Sequence, residues 1–311
     1  MGAKSSCTVG NQSAHMNLHP TLQALLARGP VLTDGAWGTQ LQARGLAPGE
    51  TPDLWNLTQP QKVAKVARAY VEAGSQVILT NTFGGNRFRL AEAGASDKVK
   101  EVNEAGARIS CAAAAGRALV FASIGPSGKM LMNGDVTAEE LFAAFSEQAA
   151  ALARGGADGL VIETLADLDE AAIAIRAVKA TGLPVVASMV FDSGKDKDRT
   201  LMGVTPEQAA AGLIKAGADV IGSNCGQGIA GFVKICARLK ASANGQPVWI
   251  KGNAGLPKMV NGKATYETTP QEFASFIPAL LAAGANFIGG CCGTSPEFIR
   301  AARQRLPDQQ P

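Results

Sequence analysis

Three cysteines hold most of the chemistry this chain could perform: Cys225 in "GSNCGQG", and the adjacent pair Cys291 and Cys292 in "FIGGCCGTSP". Neighbouring Cα atoms lie about 3.8 Å apart, below the roughly 4.4 Å at which disulfides become comfortable, so a bridge within the pair would be strained. Cys225 ends one apolar run and the pair ends another, with a single run between them. At about 4.8 Å per strand, their Cα atoms fall roughly 8–10 Å apart, beyond the ~7 Å limit of a disulfide. A metal with bonds of about 2.3 Å to sulfur can span that distance. Three sulfurs without a histidine make a soft donor set that favours zinc, and three protein ligands leave a fourth tetrahedral position open, as catalytic sites do. A non-enzymatic zinc store or thiol redox sensor is compatible with the same residues. The two histidines are His15 and His19, both near the N-terminus, so the body of the chain has no imidazole to act as base or ligand. Cys7 lies in the tail, and Cys111 and Cys236 sit in helical patterns, where buried cysteine behaves as a small hydrophobe.

Four segments show what must position these sulfurs: "EAGSQVILTNT" (72–82), "RGGADGLVIET" (154–164), "KAGADVIGSNC" (215–225) and "AAGANFIGGCC" (282–292). Each closes a helix with a glycine suited to the left-handed position after the last turn, then enters a β-branched apolar run with polar residues at its tip. Near-continuous apolar runs suit parallel strands buried on both faces. Further strands are predicted at 31–37, 118–126, 184–192 and 247–254, and helices at 58–73, 98–115, 137–155, 167–181, 205–217, 229–243, 269–284 and 294–305. Helix-start signals are present at Thr58 with Pro60, at Thr205-Pro206-Glu207 and at Thr294 with Pro296-Glu297. Strict alternation over about 275 residues is the pattern of a (β/α)8 TIM barrel, with a doubly wound open sheet as the alternative.

A barrel gathers function at the C-terminal ends of its strands. There the sequence places Asp34, Asn81, Glu163, Asn224 with Cys225, Lys251 with Asn253, and Cys291 with Cys292. Glu163 stands out, because a bare carboxylate at the tip of an apolar strand is costly. Two other patterns compete. "GQGIAG" (226–231) matches G-x-G-x-x-G, but the acidic residue required about 20 positions later is missing, so it reads as a tight turn rather than a dinucleotide site. Lys251 could form a Schiff base in an aldolase-like lyase.

Composition excludes several classes. The chain has 311 residues, 46% hydrophobic and 18% charged, with a formal charge of +3. That charge is too mild to imply nucleic acid or an anionic membrane surface, and no run reaches the ~18 apolar residues of a membrane span. Six cysteines without a secretory signal suggest a reducing, cytoplasmic setting. Residues 1–20 read as a disordered tail, although they fit the myristoylation pattern M-G-x-x-x-S; residues 21–306 read as one barrel and 307–311 as a C-terminal tail.

The motifs "LTDGAWGT", "NLTQP", "TNTFGGNR", "GPSGK", "VIETLAD", "GSNCGQG", "GNAGLP" and "GGCCGTSPEFI", spread from about residue 30 to 305, resemble the homocysteine S-methyltransferase family. Within that family they are most similar to the homocysteine-binding module of cobalamin-dependent methionine synthases. The resemblance implies a (β/α)8 barrel, Zn2+ held by Cys225, Cys291 and Cys292, and methyl transfer to the thiol of homocysteine. It assigns Asp34 and Glu163 to the substrate ammonium and the backbone of Gly35, Ala36 and Trp37 to its carboxylate. Asn81, Asn224 and Asn253 are expected as neutral hydrogen-bonders in the same mouth. An ordinary thiol titrates near 8.5, so an open zinc position would answer the need for a thiolate without a base. For the methyl donor, the resemblance leaves a separate methyl-corrinoid protein or a small sulfonium such as S-methylmethionine. Betaine is disfavoured: Gly84-Gly85 and Thr164 stand where betaine-using members carry tyrosines, and a quaternary ammonium prefers aromatic walls.

Overall fold

The computed structural model describes residues 18–260 and 263–307. Most of the expected N-terminal tail, with Cys7 and His15, and residues 308–311 of the C-terminal tail lie outside the described residues. In chain order the strands are β1 (Val31–Leu32), β2 (Val77–Ile78), β3 (Leu119–Ile124), β4 (Gly159–Leu165), β5 (Val185–Met189), β6 (Val220–Gly228) and β7 (Val248–Asn253). A hairpin of β8 (Lys258–Val260) and β9 (Lys263–Thr265) follows, then β10 (Phe287–Gly290). All but the hairpin form one sheet in the order β1-β10-β7-β6-β5-β4-β3-β2, with every ladder parallel. A parallel bridge between Thr33 and Val77, and a bond from Gln76 N to Leu32 O at 2.8 Å, join β1 to β2 and close the ring. The fold is the expected (β/α)8 TIM barrel, with a helix on the path between each pair of consecutive barrel strands.

The main helices follow from their patterns. Ala138–Arg154 and Pro206–Ala216 each start with a full capping box, from Thr137 with Glu140 and from Thr205 with Gln208, which satisfies amides otherwise left bare. The expected helix 269–284 is instead two helices, Pro270–Ser275 and Ile277–Ala282, because Pro278 has no N–H to continue the ladder. The expected strand 31–37 pairs only through Leu32 as a regular strand; beyond Thr33 the chain turns and enters the short helix Gly38–Gln42. The hairpin and the short helices Trp55–Thr58 and Arg87–Ala91 all lie in loops after strands, where apolar periodicity is too brief to read.

Inward-facing side chains build the interior in layers, as alternation along each strand requires. The lower layers are apolar: Val31, Val77, Leu79, Phe121, Val161, Val186, Val220, Trp249 and Phe287 form one cluster. The helix Pro20–Leu26 seals its underside with Leu22, fully buried in that cluster. Trp249 stacks on Phe121 at a centroid separation of 6.5 Å and tilts against Phe287 at 5.3 Å. Two residues beyond Phe121, Val161, Val186 and Trp249 the layer turns polar, with Ser123, Glu163, Ser188 and Lys251 buried, joined by the buried Asn224 four residues beyond Val220. That change of chemistry sets the floor of the site.

Candidate active site

A cavity of about 470 Å³ opens above this polar layer at the C-terminal mouth. Asp34's neighbours Gly35, Ala36 and Trp37 line it, together with Asn81, Glu163, Lys251 and all three cysteines of the cluster. Residues far apart in sequence therefore meet at one mouth.

The sulfurs come together through two backbone devices. Cys225 lies in β6 with φ +61°, a left-handed conformation unusual for a residue with a Cβ, where the pairing of β6 with β7 slips between Asn224 and Gly228. Cys291 and Cys292 follow β10 and are pinned to β7: Cys291 N donates to Gly252 O at 2.7 Å, and Ala254 N donates to Cys292 O at 3.0 Å. The three cysteines are free, and their sulfurs all lie within 4.8 Å of one another, with Cys225 Sγ and Cys292 Sγ 3.7 Å apart. Bonds of about 2.3 Å to a tetrahedral zinc require sulfurs about 3.8 Å apart. One edge of the trio already has that spacing and the others lie within reach of it, so the soft donor set and its geometry fit a zinc ion. Without metal, one thiolate is stabilised and the rest are opposed. Hydrogen bonds from Cys291 and Cys292 push Cys225 down, while donation to Cys225 and burial push its two partners up. Asn253 also donates toward the Cys225 sulfur, and its buried Oδ1 has no partner among the described residues.

Glu163 sits at the tip of β4. Ser123 Oγ donates to its Oε1 at 2.5 Å, whereas Oε2 has only a long contact of 3.5 Å from Asn224 Nδ2. Burial pushes its carboxyl pKa up, and the charge of Lys251 works against that rise. The next residue, Thr164, has φ +65°, a position a β-branched residue avoids. Asn224 holds it there: Oδ1 accepts from Thr164 N at 2.9 Å and from Ser188 Oγ at 2.7 Å, and Nδ2 donates to Thr164 Oγ1 at 2.7 Å. Asn224 thus ties together the ends of β4, β5 and β6, and a weak contact of 3.9 Å reaches Cys291 Sγ. Strain of this kind, of order 1–3 kcal/mol per residue, gathers where a site is being aimed.

Asp34 is fully buried and its carboxylate is crowded with donors. Lys251 Nζ lies 2.5 Å from Oδ1, and Trp37 Nε1 and Leu79 N both lie 2.7 Å from Oδ2. Burial alone would pull the Lys251 pKa down, but Asp34 and Glu163 outweigh it, so the amine is held as an ammonium. Of the backbone amides after β1, Ala36 N is already used by Thr294 Oγ1 at 3.1 Å. The Asn81 amide is spent on Pro52 O and Asn56 Oδ1, at 2.7 and 3.2 Å, and braces a rim loop. Ser123, Ser188 and Thr164 were not foreseen as site residues. The two serines were legible as polar residues at inward positions of β3 and β5, two steps beyond Phe121 and Val186. Cys236 packs in the core, where burial pushes its thiol up to about 12, and Cys111 donates to Gly156 O, so neither joins the cluster.

The profile of the family described as homocysteine S-methyltransferase matches residues 31–306. Methionine synthase of Mycobacterium tuberculosis is 30% identical over 323 positions, which cover 96% of this chain and 27% of that protein. Methionine synthase of Mycobacterium leprae is 31% identical over 294 positions, covering 88% of this chain and 24% of the relative. The chain thus spans about a quarter of the length of these relatives. Among solved structures, the metallated form of the homocysteine methyltransferase MmuM from Escherichia coli superposes with a TM-score of 0.76 at 25% identity, covering 92% of this chain and 99% of that one. Its oxidized form gives the same score and identity.

Proposed function

Because the chain belongs to the homocysteine S-methyltransferase family, we propose that it binds zinc through Cys225, Cys291 and Cys292 and transfers a methyl group to homocysteine, giving methionine. The observation that carries this reading is the convergence of three free sulfurs and the buried Glu163 on one cavity. Zinc bound to the three cysteines would supply a Lewis-acidic fourth position at which a thiol loses its proton near neutral pH. The chain's own residues do the rest. The Glu163 carboxylate takes the substrate ammonium on its open Oε2, which turns the sulfur toward the cysteines. Asn224 fixes the direction of Glu163 through Thr164, and the apolar cluster beneath keeps water out from below. In the transfer, a lone pair of the substrate sulfur forms the new S–CH3 bond. The bond to the donor breaks with its electrons leaving on the donor, and the thiol proton passes to solvent. Such an in-line displacement needs positioning more than it needs a base, in keeping with a mouth that holds no histidine among the described residues.

Two kinds of methyl donor are compatible with the site, each with its own support. Similarity to methionine synthases favours a methyl-corrinoid donor. A sulfonium cation would find Glu50 and Asp53 in the cavity lining together with the rings of Trp37 and Phe83, while Glu92 is already paired with Arg89 at 2.9 Å. Betaine fits less well. At Gly84 an added Cβ would lie 2.9 Å from Asp53 Oδ2, so an aromatic wall has no room at that point. A Schiff base at Lys251 is likewise disfavoured, since an ammonium paired with Asp34 is a poor nucleophile. The free thiols suit a reducing, cytoplasmic setting, and among the described residues no helix is long and apolar enough to cross a membrane.

The test is to incubate zinc-loaded protein with homocysteine and a panel of methyl-corrinoid, S-methylmethionine and betaine, with methionine followed by mass. Methionine should form with one of the first two donors and disappear on chelation. No methionine from any donor, or turnover indifferent to chelation, would contradict the reading.

A further inference from the structure

Thr294 carries a helix-start signal in the sequence, yet its hydroxyl caps no helix. The N-cap of the helix Pro296–Arg303 is Ser295, whose side chain makes no capping bond. Thr294 is fully buried. Its Oγ1 donates to Cys291 O at 2.7 Å and accepts from Ala36 N at 3.1 Å, so the hydroxyl is used in both directions. The Thr294 amide also donates to Cys291 O, at 3.1 Å, and closes a four-residue turn from Cys291 to Thr294. Gly293, third in that turn, has φ +81°, the left-handed position at which a type II turn calls for glycine. A neighbouring glycine leaves room for the hydroxyl: a Cβ at Gly35 would lie 2.8 Å from Thr294 Oγ1.

This turn carries two of the three sulfurs, and its two sides are held differently. Toward β7 the backbone does the holding, from Cys291 N to Gly252 O at 2.7 Å and from Ala254 N to Cys292 O at 3.0 Å. Toward β1 the paired register ends at Leu32 and Ile288, and two backbone bonds continue it, from Thr33 N to Ile288 O and from Gly290 N to Asp34 O. Beyond Gly290, among the described residues, the hydrogen-bonded tie between the sulfur turn and the segment after β1 is the Thr294 hydroxyl. Tyr70 Oη holds the same segment from its other side, donating to Ala36 O at 2.6 Å.

We propose that Thr294 is a positioning residue for the metal centre. Its hydroxyl sets the turn that carries Cys291 and Cys292 and locks it to the cavity-lining segment Gly35–Trp37, so that the two form as one unit. Loss of the hydroxyl is then felt at the metal, and filling of the metal site is felt at Ala36, which offers no ligand atom of its own. The proposal rests on the zinc reading of the three cysteines.

The experiment compares Thr294→Val, which keeps the shape and removes both bonds, with Thr294→Ser, which keeps both bonds. Zinc affinity, measured by competition with a chromophoric chelator, should fall about tenfold or more in Thr294→Val, the range of groups that orient metal ligands, and return in Thr294→Ser. With cobalt(II) in place of zinc, the d–d bands should change in Thr294→Val and not in Thr294→Ser. A folded Thr294→Val protein with wild-type affinity and cobalt spectrum would overturn the proposal. So would equal losses in the two variants, which would mark the position as sensitive to any change. Should Thr294→Val fail to fold, hydrogen exchange on the wild-type chain decides: the peptide spanning Gly35–Trp37 should exchange more slowly with zinc than without it, and unchanged exchange would overturn the proposal. If the wild-type chain binds no zinc, the zinc reading falls and the proposal with it; if it binds zinc through the three cysteines and Thr294→Val binds it equally well, only the proposal falls.

Discussion

The two ends of the barrel interior obey opposite rules. At the bottom, Leu22 of the sealing helix, Val31, Phe121, Trp249 and Phe287 are buried among apolar neighbours, in strands with regular parallel pairing. At the mouth, a few ångströms above, the chain buries Lys251, Asp34 and Glu163 beside three half-buried thiols, and holds Thr164 and Cys225 at positive φ where two strand pairings slip. The bottom supplies stability and makes no chemical demand. The mouth carries buried charge and left-handed backbone at Thr164 and Cys225. Separating the two by one layer of alternation lets the strands serve both, since successive inward residues on β7 run from Trp249 to Lys251 to Asn253.

Variants at the two ends should therefore fail in different ways. The largest effect expected is Cys225→Ser: zinc affinity should fall by more than the roughly 10–100-fold that outer-shell partners carry, and activity with it, while the thermal midpoint of the metal-free protein barely moves. Equilibrium dialysis and a thermal melt read both. Trp249→Ala should do the reverse, costing about 3–5 kcal/mol of stability in denaturant while the folded fraction still binds one zinc. A mouth variant that unfolds the barrel, or a floor variant that abolishes zinc binding while folded, would break the comparison.

Two smaller tests sharpen it. Asp53, at the rim, is pushed up to about 6 by burial, with a bond from Gly84 N at 2.9 Å acting in the other direction. A carboxyl with a raised folded pKa binds more protons folded than unfolded. Stability should therefore decline as pH rises from about 4 through about 6, by up to roughly 3 kcal/mol at about 1.36 kcal/mol per pH unit. Asp53→Asn keeps an acceptor for Gly84 N and should flatten that decline, leaving the variant more stable than wild type at pH 7 and nearly equal to it at pH 4. Denaturant midpoints across that range decide it. The smallest effect belongs to Thr164→Gly. Relief of the left-handed strain and loss of the bond to Asn224, each about 1 kcal/mol, should nearly cancel in stability, while KM for the thiol rises because Glu163 loses its brace.

Much of this was legible in the sequence because it depends on repetition. Four segments with the same glycine–apolar–polar grammar announced parallel strands, and the barrel rule then gathered Glu163, Asn224 and the three cysteines at one mouth. What escaped had local or tertiary causes. Pro278 splits one helix inside an apolar periodicity that runs unbroken across it. The short β1 and the helix Gly38–Gln42 depend on where pairing with β10 stops, which composition does not encode. The partnership of Lys251 with Asp34, 217 positions apart in the chain, exists only once β1 and β7 face each other across β10. No pattern of spacing announces it.

The central claim is that Cys225, Cys291 and Cys292 hold a zinc whose remaining position accepts the substrate sulfur. X-ray absorption at the zinc edge of the loaded protein, before and after homocysteine, tests it most directly. Three protein sulfurs at about 2.3 Å should become four on addition of the thiol. A sulfur count that does not change, or a Cys225→Ser protein with the wild-type spectrum, would contradict it.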